Sequence, residues 1–126
     1  MPKYFLSIVA FSIGIFIVFL STVRLSFPQS TGLLIGTDKL GHIFAYFCFS
    51  ISVFGSLVAE WKLKKPLKWS VITSLLLSFN LEIIQGIFLI HRSFEVYDIF
   101  ANVLGIILFV FLAKRVKKLL SNAVFL

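Results

Sequence analysis

Long hydrophobic stretches alternate with short polar connections along the whole chain. Four such stretches cover about residues 4–23, 40–61, 67–90 and 97–113. A helix needs about 20 mostly apolar residues to cross a hydrocarbon core roughly 30 Å thick, because each residue rises about 1.5 Å. The stretches are continuous and do not alternate as spanning strands would. The pattern predicts an all-α membrane protein, with residues 1–126 forming one domain: a bundle of four transmembrane helices.

Composition supports this class. The chain is 60% hydrophobic and 13% charged, with 16 Phe, whereas an average soluble domain is roughly half apolar and a quarter charged. This excludes an ordinary soluble domain and a disordered chain. The first apolar stretch exceeds the roughly 7 to 15 residues of a signal-peptide core, so we expect a retained helix.

The positive charges predict the orientation in the membrane. Nine of the twelve cations precede the first helix, lie in the connection WKLKKPLK or follow the fourth helix. Because Lys and Arg accumulate in cytoplasmic loops, both termini are predicted to be cytoplasmic. This distribution accounts for the net charge of +7, and no nucleic-acid partner is expected. The connection over residues 24–37 is either an outer loop or a re-entrant segment.

Polar residues form stripes that start at the predicted outer ends of the last three helices, because steps of three or four residues share one helix face. An ionisable side chain near mid-bilayer costs of order 2.5 to 3.5 kcal/mol, so Glu82 should face the bundle interior with a partner, or be protonated. We therefore predict a polar cleft between these helices, open to the outside, with the first helix supporting the bundle. The stripes are Asp38, His42 and Tyr46 with Lys39 beside them; Ser78, Glu82 and Gln85, followed by Arg92; and Asp98, Asn102 and Gly105.

Several of these residues have two interpretations. His42 is either a base oriented by Asp38 or a helix-start hydrogen bond. Arg92 either pairs structurally with Asp98 or joins Lys39 in an anion site.

Glu82 has either a functional role or a buried hydrogen bond to Gln85, Tyr46 or Asn102. On another face of the third helix, Asn80 and Thr73 are predicted to donate interhelical hydrogen bonds.

The residue types of His42, Glu82 and Asp98 suit a metal, but no short two-ligand motif is present. We therefore expect no metal and no cofactor.

The segments DKLGHIFAY, LEIIQ and HRSFEVYDIFANVLG resemble the VanZ-like family of small bacterial membrane proteins. The resemblance covers roughly residues 37–105. It implies a multi-pass protein of the bacterial cytoplasmic membrane, and the family's founding member is linked to resistance to the glycopeptide teicoplanin. Such proteins often have a second small residue near position 108 or 109, whereas Leu108 and Phe109 are large here, which questions close packing at this point. The family's polar positions would be Asp38, Lys39, His42, Tyr46, Glu82, Gln85, Arg92, Asp98, Asn102 and Gly105.

Four functions are compatible with these residues. The first is a cleft that recognises a polar or anionic envelope molecule, a lipid headgroup or cell-wall precursor, bound by the polar positions just named except Gly105. The second is an intramembrane enzyme with His42 as base and Glu82 or Asp98 as acid. The third is a proton pathway, for which the cytoplasmic half of the helices offers few polar residues. The fourth is an accessory subunit whose cleft receives a helix of a partner membrane protein.

Overall fold

The chain forms four α-helices. The structure, a computed structural model, describes residues 3–22, 37–88 and 96–124. Its helices are α1 (Phe5–Thr22), α2 (Thr37–Ala59), α3 (Pro66–Phe88) and α4 (Val96–Val124). All four are long and apolar enough to cross a membrane, and the described residues contain no strand. The predicted all-α membrane protein is confirmed, while the orientation of its termini stays a prediction from charge.

Two helix boundaries differ from those predicted by three residues or more. Helix α2 starts at Thr37, three residues before the predicted start, and α4 continues to Val124 instead of ending near residue 113. The extension of α4 contains Lys, Arg, Leu and Ala but neither Gly nor Pro, so nothing in its local sequence stops the helix. Helix α2 ends before Lys62, whose φ of 49° is incompatible with a continuing helix. Pro66 begins α3, where its missing N–H costs nothing.

Helix α2 lies at the centre of the bundle. It packs against α1, α3 and α4, whereas α1 and α4 have no contact among the described residues. Side-chain pairs give the relative directions: Ser7 near the start of α1 meets Ser56 near the end of α2, so these helices are antiparallel. His42 and Asn102, both near the start of their helices, meet across α2 and α4, which are therefore parallel. We call the end where α2 and α4 begin the polar end, and the opposite end the lysine-rich end.

Phe109, one of the two large residues for which the sequence analysis doubted close packing, lies in the core. Phe109 is completely buried, at 0% exposure, and contacts the ring of Phe54 edge-on at 5.6 Å between centroids. Leu108 points outward and is 46% exposed. The large side chain at position 109 is therefore a core residue of α4 that packs against Phe54.

Glu60 ties the start of α1 to the end of α2 at the lysine-rich end. Its carboxylate accepts hydrogen bonds from the backbone N–H groups of Leu6 at 2.5 Å and Ser7 at 2.9 Å, and from the Ser7 hydroxyl at 2.5 Å. Trp61 Nε1 donates to Ser7 Oγ at 3.0 Å. An acid at a helix N-terminus satisfies N–H groups that have no partner within the helix. Glu60, directly after the end of α2, thus supplies the cap that α1 lacks in its own sequence.

This arrangement favours the charged form of Glu60. Desolvation raises the pKa of its carboxyl, but hydrogen bonds from the Ser7 hydroxyl, the Leu6 and Ser7 N–H groups and the Ser56 hydroxyl together lower it further. The pKa of Glu60 therefore lies below its ordinary value.

Candidate functional site

Polar side chains from α2, α3 and α4 meet inside the bundle towards the polar end. Five of them are almost completely buried: Asn102 is 1% exposed, Tyr46, Glu82 and Gln85 are each 2% exposed, and Asp98 is 5% exposed. Ser78 is also buried, and His42 is partly buried. We refer to these seven residues, His42, Tyr46, Ser78, Glu82, Gln85, Asp98 and Asn102, as the polar cluster.

Asn102 links two helices to its own. Its Nδ2 donates to Ser78 Oγ on α3 at 2.8 Å, and its Oδ1 lies 2.8 Å from His42 Nδ1 on α2. Since an amide oxygen can only accept, Nδ1 of His42 carries the proton of this hydrogen bond. The bond to Ser78 thereby orients the amide, and the amide in turn selects the tautomer of His42.

The other ring nitrogen of His42 faces an acid. Nε2 lies 3.8 Å from Asp98 Oδ1, one helical turn before Asn102 on α4. In the neutral ring, Nε2 holds the free electron pair. In the protonated ring, it carries a second N–H directed towards a carboxylate. His42 therefore lies between an amide and an acid, one facing each ring nitrogen.

Glu82 lies inside the bundle, as its position within an apolar helix required. The Tyr46 side chain of α2 interacts both with the Glu82 carboxylate and with the Ser78 side chain. Glu82 therefore shares its surroundings with Tyr46, one of the three partners predicted for it. Ser78 connects Tyr46 to the chain formed by Asn102 and His42.

The first helix also contributes to the site. Gln85 Nε2 donates a hydrogen bond of 2.8 Å to the backbone carbonyl of Ser21, near the end of α1. The sequence predicted only a supporting role for this helix, because its side chains are apolar apart from Ser and Thr. Its contribution is a backbone group, which no residue pattern reveals.

A close helix contact holds α2 and α4 in register. A Cβ added at Gly105 would overlap with the backbone carbonyl oxygen of Ile43. Gly105 lies one turn after Asn102, and Ile43 follows His42 in the chain. The glycine therefore brings the two backbones together at the level where His42 and Asn102 form their hydrogen bond.

The polar cluster reaches the surface through His42. The His42 side chain is 19% exposed, against 8% for the Asp98 side chain. Several predicted site groups lie outside the part of the chain that the structure describes: the side chains of Asp38 and Lys39, and the whole of Arg92. The connection between α1 and α2, residues 23–36, also lies outside it. The predicted interactions of Asp38 with His42 and of Arg92 with Asp98 therefore stay predictions.

The buried face of α3 is polar over a greater length than predicted. Ser70 and Ser74 are both 0% exposed, like Ser78. Ser74 Oγ lies 2.7 Å from Ser50 Oγ, and Ser70 Oγ donates to the Ser50 carbonyl at 2.8 Å. These hydroxyls join α2 to α3 by small-residue packing and hydrogen bonds, as is common between membrane helices. Ser70, Ser74 and Ser78 follow one another at steps of four residues, and this spacing was the signal that sequence reasoning left unused.

Fold and site together define a multi-pass helical membrane protein with a buried, hydrogen-bonded polar cluster at one end of its bundle. The chain matches the VanZ/LLP1 family over residues 3–120 and belongs to that family. No curated protein and no solved structure matches it. Within the part of the chain that the structure describes, no group of three or more His, Cys, Asp or Glu could hold a metal ion.

Proposed function

We propose that the polar cluster recognises a polar or anionic molecule of the cell envelope, such as a lipid headgroup or a cell-wall precursor. The observation that carries this proposal is the environment of the His42 side chain. Its two ring nitrogens face Asn102 and Asp98, yet part of the side chain is exposed. An oriented and accessible imidazole is suited to meeting a ligand that enters from the polar end.

The cost of the cluster supports a functional role. Glu82 is buried inside the span Pro66–Ile87 of α3, a helix that otherwise suits a membrane. An ionisable residue at the centre of a spanning helix costs about 2.5 to 3.5 kcal/mol on insertion scales. Apolar side chains of similar size would fill the same space without that cost, and intramembrane ionisable residues are by default candidates for function.

The charges suggest which residue would bind each part of a ligand. Protonated His42 would donate a hydrogen bond to an oxygen of the ligand. Lys39 and Arg92, which the sequence assigns to the same end of the bundle, would hold a phosphate or carboxylate, Arg92 as a bidentate fork. A cell-wall precursor as ligand would agree with the glycopeptide resistance associated with the family's founding member.

Native mass spectrometry of the full chain would test this proposal. The protein would be incubated with phosphatidylglycerol, with a polyprenyl phosphate, or with zwitterionic phosphatidylcholine as the reference lipid. We expect saturable retention of at least one anionic lipid and roughly tenfold weaker retention by Arg92→Ala, which loses about 1.4 kcal/mol if one charge-assisted contact is removed. His42→Gln should weaken retention in the same experiment.

Ser52→Ala provides a matched control. Ser52 lies on α2 and donates to the Cys48 carbonyl at 2.8 Å, outside the polar cluster, so its loss should leave lipid retention unchanged. Retention that is equal for all three lipids, or insensitive to both Arg92→Ala and His42→Gln, would contradict the proposal.

The geometry of His42 also favours a second candidate, an intramembrane acid/base enzyme acting on a lipid-linked substrate. With Nδ1–H engaged by Asn102, neutral His42 presents the electron pair of Nε2 as a base, with Asp98 beside it. Glu82 or Asp98 would supply the acid. This candidate predicts a change of mass in one of the added lipids that His42→Ala and Glu82→Gln abolish while the fold persists. Unchanged lipids with retained binding would leave recognition as the function.

A further inference from the structure

One amide side chain faces away from the bundle. Of the amides at described side chains within the four spans, Gln85 and Asn102 are buried and Asn80 is exposed. Asn80 lies on α3, about 5 Å from the middle of the span Pro66–Ile87. Its side chain therefore faces the region where lipid tails would surround a single copy of the chain.

The predicted interhelical hydrogen bonds of Asn80 and Thr73 are wrong for the isolated bundle. Asn80 Nδ2 donates to the Leu76 carbonyl at 2.6 Å, and Thr73 Oγ1 donates to the Trp69 carbonyl at 2.8 Å, so both bonds stay within α3. The side chains point outward because α3 directs its opposite face, which carries the serines and Glu82, towards α2 and α4. Thr73 is thereby satisfied, but Asn80 is not.

The amide of Asn80 has further hydrogen-bonding capacity. Among the described residues, its carbonyl oxygen accepts no hydrogen bond, and the bond to Leu76 uses one N–H of two. Lipid tails offer neither donors nor acceptors, so an amide that faces them with unused hydrogen-bonding groups is costly unless protein or water supplies a partner. A partner for Asn80 must come from outside the described bundle.

Asn80 lies at the centre of a regular stripe, which we call the Asn80 stripe. Thr73, Leu76, Asn80, Ile83 and Ile87 follow one another at alternating steps of three and four residues. All five are exposed: Leu76 at 58%, Ile83 at 48% and Ile87 at 70%, with Thr73 and Asn80 also on the surface. This spacing is the a/d pattern of helices that pack in a left-handed pair, and a single Asn at an a position is a known determinant of pairing and register.

We infer that the Asn80 stripe is the interface with a second copy of this chain. Two copies in one membrane share the same orientation, so a two-fold axis along the membrane normal places both Asn80 side chains at the same depth. A carboxamide is complementary to itself, because each copy can donate an N–H to the oxygen of the other. The exposed surfaces of α1 and α4 offer mainly Phe, Ile and Leu, as at Phe11 and Phe111, and are suited to lipid.

Cysteine cross-linking in membranes tests the geometry. In a Cys48→Ala background, Leu76→Cys and Ile83→Cys should each form a disulfide between copies after mild oxidation. Phe111→Cys, 70% exposed on α4, is the control and should not cross-link. Cross-linking that is equal at Phe111 and at the stripe, or absent from the stripe, overturns the inference.

Energy transfer between labelled copies in phosphatidylcholine vesicles tests the role of the amide. We expect the unsubstituted chain to dimerise, and Asn80→Leu to raise the dissociation constant by roughly three- to thirtyfold, the range measured for hydrogen bonds between membrane helices. Asn80→Gln, which keeps the amide, should retain most of the association. Ser52→Ala should not change it, since Ser52 lies on a different helix from the stripe and bonds within α2.

The remaining outcomes are also decisive. A chain that is monomeric at every protein-to-lipid ratio overturns self-association, and so does a stripe that is covered in membranes by a different protein. Dimerisation that Asn80→Leu leaves unchanged rejects the amide pair as its cause.

Discussion

Gly105 of α4 packs directly against the backbone carbonyl of Ile43 of α2, so closely that a Cβ at residue 105 would overlap with the carbonyl oxygen. The hydrogen bond between His42 and Asn102 lies at the same level. A backbone contact thus determines the distance between two side chains of the polar cluster.

Gly105→Ala should therefore destabilise the protein and disrupt the cluster. Overpacking of a tight contact costs typically about 1 to 3 kcal/mol, and the rigid carbonyl of Ile43 has little room to move. Unfolding in mixed detergent micelles would measure the loss. Gly41→Ala is the matched control, since a Cβ there meets nothing within 4 Å and removing a helical glycine stabilises by up to about 1 kcal/mol. Equal stability of the two variants would contradict this account.

The Glu60 cap predicts a dependence of stability on pH. The pKa of Glu60 is lowered in the folded protein, so its stabilisation is present above the ordinary carboxyl pKa of about 4.5 and is lost as the pH falls through the lower, folded value. Glu60→Gln should lower the free energy of unfolding at neutral pH. The difference between the two proteins should shrink at acidic pH.

Unfolding measured from neutral pH downwards in both proteins checks this prediction. Trp61→Phe is a useful comparison, because it removes the hydrogen bond to Ser7 Oγ without removing an ionisable side chain. Its effect on the free energy of unfolding should therefore be independent of pH. A constant difference between Glu60→Gln and the unsubstituted chain would rule out the titrating cap.

Two phenylalanines of α4 should respond differently to truncation. Phe109→Ala removes a ring with 0% exposure and leaves a cavity beside Phe54, which we expect to cost about 3 to 5 kcal/mol. Phe111→Ala changes a ring that is 70% exposed and should have a much smaller effect. The detergent unfolding assay distinguishes them, and a larger loss for Phe111 would show that α4 is rotated relative to the described packing.

The orientation in the membrane can be tested directly. A reporter that is active only in the cytoplasm should be active when fused after Lys65, and also after the last residue, because Lys and Arg favour the cytoplasmic side. A periplasmic reporter fused within residues 24–36 should be active. The opposite pattern would place the polar cluster on the cytoplasmic side and remove the basis for recognising an external ligand.

The hydrophobic pattern alone determined the number of helices, their approximate limits and their membrane character. This was possible because crossing a bilayer requires about 20 apolar residues, a constraint that acts on each helix separately. The same reasoning placed Glu82 in the interior, since lipid exposure of its carboxyl is costly. Helix periodicity correctly grouped His42 with Tyr46, and Asp98 with Asn102, on their helices.

Only the tertiary structure decided how these groups pair. Periodicity identifies a helix face but not the face that meets it, so it could not join His42 to Asn102 or Gln85 to the Ser21 carbonyl. Periodicity also could not show that Asn80 faces outward, because an amide in an apolar helix is equally compatible with the interior of the bundle and with an interface between copies. The capping role of Glu60 could not be predicted for a related reason. The N-terminus that it caps belongs to another helix, and capping across helices depends on packing rather than on residues that are neighbours in the sequence.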